Sequence, residues 1–419
     1  MFGVWGLGGV SGGGTHSTPP PPPPLLLSSI LTATYTLSPQ KITKRIPPLA
    51  LGTATFNNQY NSSPETLPTF AIVQHALHSG LLAFDTSPYY GPAETLLGSA
   101  LNHPSTLAHF PRPSYFLTTK VGRISSSTFD YAPSWVRQSI HRSISRLHGP
   151  SVEDGYLDLV LCHDVEFVTP AEVITAVRTL RELREEGRLR YVGISGYPVG
   201  QLATLAEMVL EETGEPLDAV MSYANFTVQN KALAMIPLAR IKAAGVGVVL
   251  NASPLGMGLL RKGGVPVGSM GDWHPAPAGL RAACATIAEE VEALGENLAT
   301  VAMRYAYEGW MQIAGMWGVG TKVPFGKRLD ELGEGDGEGK GKMKGVSVCG
   351  VSSLEELQDI LEVWKSILCA EEGREEDAQR RERNRGLVEA LRGRLGEWVD
   401  YAWESPGEGF VRVEVEHEK

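Results

Sequence analysis

Leu157–Asp158–Leu159–Val160–Leu161–Cys162–His163 is a short, β-rich apolar run, and a second run of the same kind follows at Tyr191–Val192–Gly193–Ile194–Ser195. Between them lies Ala171–Glu186, whose apolar residues recur at helical spacing with charged residues filling the other positions. Strand, amphipathic helix, strand is the pattern of a βαβ unit, in which the two strands run parallel. Outward from this unit the alternation continues. Further runs stand at Leu49–Gly52, Leu81–Asp85, Tyr115–Lys120, Ala219–Ser222, Val246–Asn251 and Val346–Cys349. Further helical stretches include Trp135–Leu147, Gln201–Glu212 and Leu280–Leu294. Eight such units predict an α/β fold closed into a (β/α)8 TIM barrel rather than an open doubly wound sheet.

The flanks have a different texture. Residues 1–44 read as a leader: glycines lead into six consecutive prolines, Pro19 to Pro24, and then Leu25–Leu26–Leu27. That composition buries too little surface to fold alone and predicts disorder, with a proline-rich ligand for a partner domain as the alternative. The barrel is expected over 45–370. Within it, 311–344 is expected to be an insertion before the last strand, because Gly333 to Gly345 alternates glycine with Glu, Asp and Lys. No strand precedes those glycines and no helix follows them, so they do not form a phosphate loop. Residues 371–419 are expected as a C-terminal helix and an aromatic tail, Trp398 to Trp403, that packs on the barrel.

Composition excludes more than it identifies. The 419 residues carry a formal net charge of −10 and no basic stripe, which argues against nucleic acid as a partner. The four cysteines, Cys162, Cys284, Cys349 and Cys369, form no CxxC pair, so neither a metal site nor a disulfide framework is expected. No apolar run reaches the roughly 18 residues that span a bilayer. No Lys or Arg precedes Lys41, so no signal or transit peptide is expected, and the cytoplasm is the predicted location. No obligate protein partner is evident.

Function in such a barrel sits where the strands end. Strand two ends in Asp85 and is followed closely by Tyr90, strand three ends in Lys120, and strand four ends in His163. Singly, each has an ordinary reading: a turn-forming Asp, a surface Lys, a core His. Converging on one mouth, they suit carbonyl–alcohol redox chemistry. A phenol titrates near pH 10, and a neighbouring ammonium favours the phenolate, so Lys120 is expected to lower the pKa of Tyr90. Asp85 is expected to hold Lys120, and a neutral His163 to orient the reacting oxygen. No side chain carries a hydride, so a nicotinamide cofactor is required.

At these residues the sequence resembles the aldo-keto reductase family. Phe84–Asp85–Thr86–Ser87–Pro88–Tyr89–Tyr90–Gly91 with Glu94, Thr119–Lys120–Val121–Gly122, Asp158 to His163, and Glu186 to Ser195 are similar to that family's motifs. The resemblance implies Tyr90, Asp85, Lys120 and His163 as catalytic residues and an extended NAD(P) without a Rossmann motif. Gly52, Thr53 and Ala54 would border the nicotinamide, with Ser195 at its amide and Ser222 where many members have Gln. Ser253, Leu255, Gly256 and Gly258 would follow the pyrophosphate, and Gly350 and Ser352 the adenosine phosphate.

Departures refine the expectation. Gly196 replaces the usual Asn, and Ala252 stands where many members stack a Tyr. Glu356 stands where NADP-preferring members place Arg, and a carboxylate there repels a 2′-phosphate, so NAD is expected rather than NADP. His163 to Phe167, Ser222–Tyr223, Asn251 to Leu260 and Trp273–His274–Pro275–Ala276 look like the aldose dehydrogenases acting on D-arabinose, L-galactose and L-fucose. By that resemblance the small-molecule substrate is a cyclic sugar, D-arabinose first, oxidised to its aldono-1,4-lactone. The alternatives are an NADPH-dependent aldehyde or ketone reductase, and a non-catalytic cofactor-binding regulatory subunit.

Overall fold

A computed structural model describes residues 40–149, 155–268, 270–333 and 342–415. Eight strands close into a barrel in chain order: β1 (Leu49–Gly52), β2 (Ala83–Asp85), β3 (Phe116–Val121), β4 (Leu157–His163), β5 (Leu189–Gly196), β6 (Ala219–Tyr223), β7 (Val248–Ala252) and β8 (Val346–Gly350). Every neighbouring pair is parallel, and β1 closes on β8 with Leu49 opposite Ser347.

The helices are α1 (Thr69–His78), α2 (Ala93–Leu101), α3 (Pro104–His109), α4 (Pro133–His148), α5 (Pro170–Glu185), α6 (Val199–Thr213), α7 (Ile236–Ala243), α8 (Ala278–Ala293), α9 (Leu298–Trp317), α10 (Leu354–Glu371) and α11 (Glu375–Arg394). Among the described residues no helix is long and apolar enough to cross a membrane. Side chains alternate across each strand, so one set fills the barrel and the other meets the helices. The inner set includes Ala83, Phe116, Leu159, Leu161, Tyr191, Met221, Leu250 and Val348. The outer set, including Phe84, Leu117, Val160, Ile194 and Val249, packs in one cluster with the surrounding helices, α7, α9 and α10 among them. The α5 helix starts with a capping box in which Thr169 and Glu172 satisfy each other's backbone N–H groups.

Three regions differ from their expected boundaries. The leader was expected to run to residue 44. Residues 1–39 lie outside the described residues, but Ile42 is buried with Ile46 against Tyr191, Val323 and Leu329 at the floor of the barrel. The stretch from Met311, expected to open an insertion, completes α9 instead: Trp310, Met311 and Ala314 are buried at helical spacing, and the helix ends at Gly318 with φ 68°. The chain then returns under the barrel, where the Val249 N–H donates to the Val319 carbonyl and the Lys322 N–H to that of Thr43. Of the glycine–charge run, 334–341 lies outside the described residues. At the far end, α11 buries Val388 and Leu391, and in the aromatic tail Trp403 stacks on Tyr197 at 4.5 Å. The tail continues across the mouth, where Phe410 meets Phe167 and the Val413 N–H donates to the Ser127 carbonyl.

Candidate active site

The last inward position on each strand rings the mouth: Gly52, Asp85, Lys120, His163, Ser195, Tyr223, Ala252 and Gly350 all border one cavity of about 560 Å³. The register explains the grouping. Asp85 pairs with Thr118, and Lys120 is two residues further along the same face of β3, so its ammonium returns to the end of β2. Thr119 between them faces outward, where it donates to Glu94 of α2 at 2.8 Å, and Glu94 in turn pairs with Arg146 at 3.1 Å.

Lys120 Nζ lies 2.7 and 2.9 Å from the two Asp85 oxygens and 3.1 Å from the Thr86 carbonyl oxygen, all buried. The same nitrogen stands 4.8 Å from the centre of the Tyr90 ring. The Tyr90 ring meets His163 edge to face at 5.6 Å. His163 Nδ1 lies 3.1 Å from Ser87 Oγ, which also accepts from the Tyr89 N–H. The buried Ser87 hydroxyl needs an acceptor for its proton, and Nδ1 is the one it reaches. With Ser87 as the donor, the imidazole proton would stand on Nε2.

The electrostatics follow from burial. It pushes His163 down to about 3, with Lys120 and Arg123 adding to the effect against Asp164, which favours the neutral ring. It also raises Tyr90 well above 10, and the carboxylates of Asp85 and Asp164 push the same way. The expected lowering by Lys120 is not found: Asp85 takes the ammonium with both oxygens, and burial of the phenol dominates. Asp85 itself is raised by burial, against Lys120.

The cofactor candidates separate into two groups. Gly52, Ala54, Ser195, Ser253, Leu255, Gly258, Gly350, Ser352 and Glu356 border the cavity; Thr53, Ser222 and Gly256 do not. Thr53 donates to the Asp85 carbonyl at 3.2 Å, and the Gly256 carbonyl lies 3.0 Å from His274 Nε2. Ser222 has the outward parity on β6 and accepts from Asn225 at 2.9 Å, while Tyr223 takes the inward place. Glu356 accepts from the Ser352 N–H at 2.6 Å and lies 3.5 Å from Arg261.

Sequence reasoning overlooked Arg123 and the pocket role of Asp164. Both border the cavity and form an ion pair, with the guanidinium 4.0 Å over the Tyr89 ring. The signal was present: Arg123 sits three residues after Lys120, at the outlet of the same strand. Gly196, noted as a departure, has a local cause. A Cβ there would lie 2.3 Å from Glu166 Oε2, and the other Glu166 oxygen accepts from the Tyr197 N–H and the Ser405 hydroxyl, each at 3.0 Å.

Residues 48–378 match the model of the Aldo/keto reductase family. The chain is 37% identical over 324 residues to D-arabinose 1-dehydrogenase of Saccharomyces cerevisiae, covering 77% of this chain and 84% of that one. It is 34% identical over 239 residues to L-galactose dehydrogenase of Arabidopsis thaliana, covering 56% and 69% respectively. A probable aldo-keto reductase 1 of Glycine max is 28% identical over 237 residues, covering 54% and 62%.

Proposed function

The chain belongs to the aldo/keto reductase family, and within that family of nicotinamide-dependent oxidoreductases we propose that it is an NAD-dependent aldose 1-dehydrogenase, acting on D-arabinose or a close relative. The observation that carries the reading is the mouth itself: a buried Asp85–Lys120 pair, a buried His163 whose Nδ1 lies against Ser87, and Tyr90 beside them, all facing one cavity. The resemblance to two sugar dehydrogenases supplies the substrate class.

The residues fit a dinucleotide. Ser253, Gly256, Met257 and Gly258 all have positive φ, from 54° to 105°, and of these Ser253, Met257 and Gly258 border the cavity. Arg261 and Lys262 border the same stretch and would face the pyrophosphate. At the far end Glu356, fixed by the Ser352 N–H, would accept from a free ribose hydroxyl and repel a 2′-phosphate. When bound, such a cofactor supplies the hydride acceptor.

The protein's own groups handle the oxygen and its proton. The cyclic sugar enters with its anomeric hydroxyl between Tyr90 and His163. His163 donates from Nε2 to that oxygen and fixes its position. Tyr90 as phenolate removes the hydroxyl proton while the C1–H bond breaks, and the lactone carbonyl forms. The phenol is held protonated in the free protein, so sugar oxidation should accelerate as pH rises through the alkaline range.

The test is reduction of NAD or NADP across a panel of aldoses. NADH formation from D-arabinose is expected; turnover only with NADPH and aldehydes would sink the proposal. That NADPH-dependent reductase is the second reading, favoured by Arg261 beside Glu356, which offers a cation at the adenosine end, and by the protonated Tyr90, which is ready to act as an acid.

A further inference from the structure

Arg123 and Asp164 stand in the cavity wall without a role in the proton transfer just described. Arg123 extends from the outlet of β3. Its Nε donates to the Ser125 carbonyl at 3.2 Å, its Nη1 pairs with Asp164 Oδ2, and its plane lies on the Tyr89 ring. Nη2 has no protein acceptor among the described residues. Asp164 follows His163 directly in the left-handed conformation, φ 55° and ψ 60°, which aspartate tolerates better than most residues. That turn places its Oδ2 3.6 Å from His163 Nε2, and its Oδ1 accepts no hydrogen bond from the described residues.

A gap of 3.6 Å between the imidazole nitrogen and the carboxylate is too long for a direct hydrogen bond. The two groups are near enough to contact oxygens on neighbouring carbons of one ligand. If His163 holds the oxygen on the reacting carbon, Asp164 faces the oxygen on the carbon beside it. The ring oxygen of a cyclic sugar is also one bond from the reacting carbon, but it cannot donate, and a carboxylate needs a donor. A hydroxyl donates to Asp164 and can still accept from Arg123 Nη2.

We propose that Asp164 and Arg123 form a recognition pair for the hydroxyl on the carbon adjacent to the reacting carbon, which makes the enzyme selective for 2-hydroxy aldoses over 2-deoxy sugars and simple aldehydes. The proposal rests on the aldose dehydrogenase reading and narrows its substrate class. A site built to hydrogen-bond a hydroxyl leaves charged groups unpaired when the hydroxyl is missing, so discrimination is large.

The experiment compares kcat/KM with NAD for D-arabinose and for 2-deoxy-D-ribose, which is D-arabinose lacking only that hydroxyl. The wild-type protein should prefer D-arabinose by roughly a hundredfold, the scale of a hydrogen bond to a charged group. In Asp164→Asn, which keeps the backbone conformation and the shape, the preference should collapse to within about fivefold, mainly through KM for D-arabinose. Arg123→Met should lower the preference by a separate route, and NADH binding followed by fluorescence should stay unchanged in both variants. A wild type that uses both sugars equally, or an Asp164→Asn variant that oxidises D-arabinose with its full preference, overturns the pair. A wild type that forms no NADH from any aldose overturns the dehydrogenase reading, and this proposal falls with it.

Discussion

Two buried carboxylates sit at opposite ends of the same barrel. At the floor, Asp158 of β4 receives Arg112 at 2.6 Å, Arg190 at 3.2 Å and the Leu117 N–H at 2.9 Å, and both guanidinium groups cover the Tyr156 ring. At the mouth, Asp85 receives one ammonium. The floor is tied into the backbone through Arg112, which also donates to the Tyr115 and Tyr156 carbonyls, while Arg190 holds the carboxylate and the Tyr156 ring. The mouth is held equally firmly, but among the described residues the Tyr90 hydroxyl, Arg123 Nη2 and Asp164 Oδ1 find no protein partner. One carboxylate–cation pair therefore pins strands together, and the other fixes groups whose remaining hydrogen-bonding capacity points at a ligand.

Removing one group at each end should separate the two roles. Tyr90→Phe takes away only an oxygen. Turnover should fall roughly 10³- to 10⁴-fold, the upper scale of general acid–base catalysis, with the melting temperature and NADH affinity unchanged; surviving sugar oxidation would show that the open hydroxyl is not what the mouth is built around. At the floor, Asp158→Ala should do the reverse. It strands two guanidinium groups and should cost about 3 kcal/mol of stability by denaturant titration, while kcat per folded molecule holds. A loss of kcat without a loss of stability would erase the distinction between the ends.

Glu356 tests whether an open carboxylate reads charge on a ligand. Glu356→Ala should shift the NAD-to-NADP preference about tenfold toward NADP, in kcat/KM, through relief of repulsion. A further test concerns Glu166, whose carboxyl is pushed up to about 8, by burial first and then by Asp164. Its folded pKa lies above its unfolded value, so the stability it contributes is complete below about pH 4.5 and declines as pH rises toward 8. Glu166→Gln should flatten that slope in pH-dependent unfolding; an unaltered slope would assign it to other groups.

The contrast also explains what the sequence made legible. Strands were visible because both their faces are apolar, and a closed parallel barrel needs that. The tetrad was visible because its members are chemically conspicuous at the ends of those strands. The parity of the last residue was harder. Ser222 and Tyr223 are both plausible ends for β6, and only the register decides that Tyr223 faces the cavity. Arg123 lies two residues and Asp164 one residue past the end of their strands, where direction depends on a left-handed turn that no periodicity encodes. The α9 boundary was misplaced at Met311 although the apolar spacing through Trp310, Met311 and Ala314 continues the helix, because the glycine–charge run that follows dominates the local texture. The effect of Lys120 on Tyr90 needed the structure, because burial of the phenol, the largest cause of its shift, cannot be read from residue spacing.

The closure of β1 on β8, with Leu51 opposite Cys349, sets a demand on biogenesis. While the chain emerges from the ribosome, the first strand has no neighbour on one side until the last strand exists. At ordinary rates of synthesis that interval is on the order of tens of seconds. Through it the nascent barrel is an open sheet with two unsatisfied edges, the form in which sheets add foreign strands. The protein is most exposed to misassembly just before it is finished, and conditions that slow translation late in the message should reduce its yield of folded chains more than conditions that slow it early.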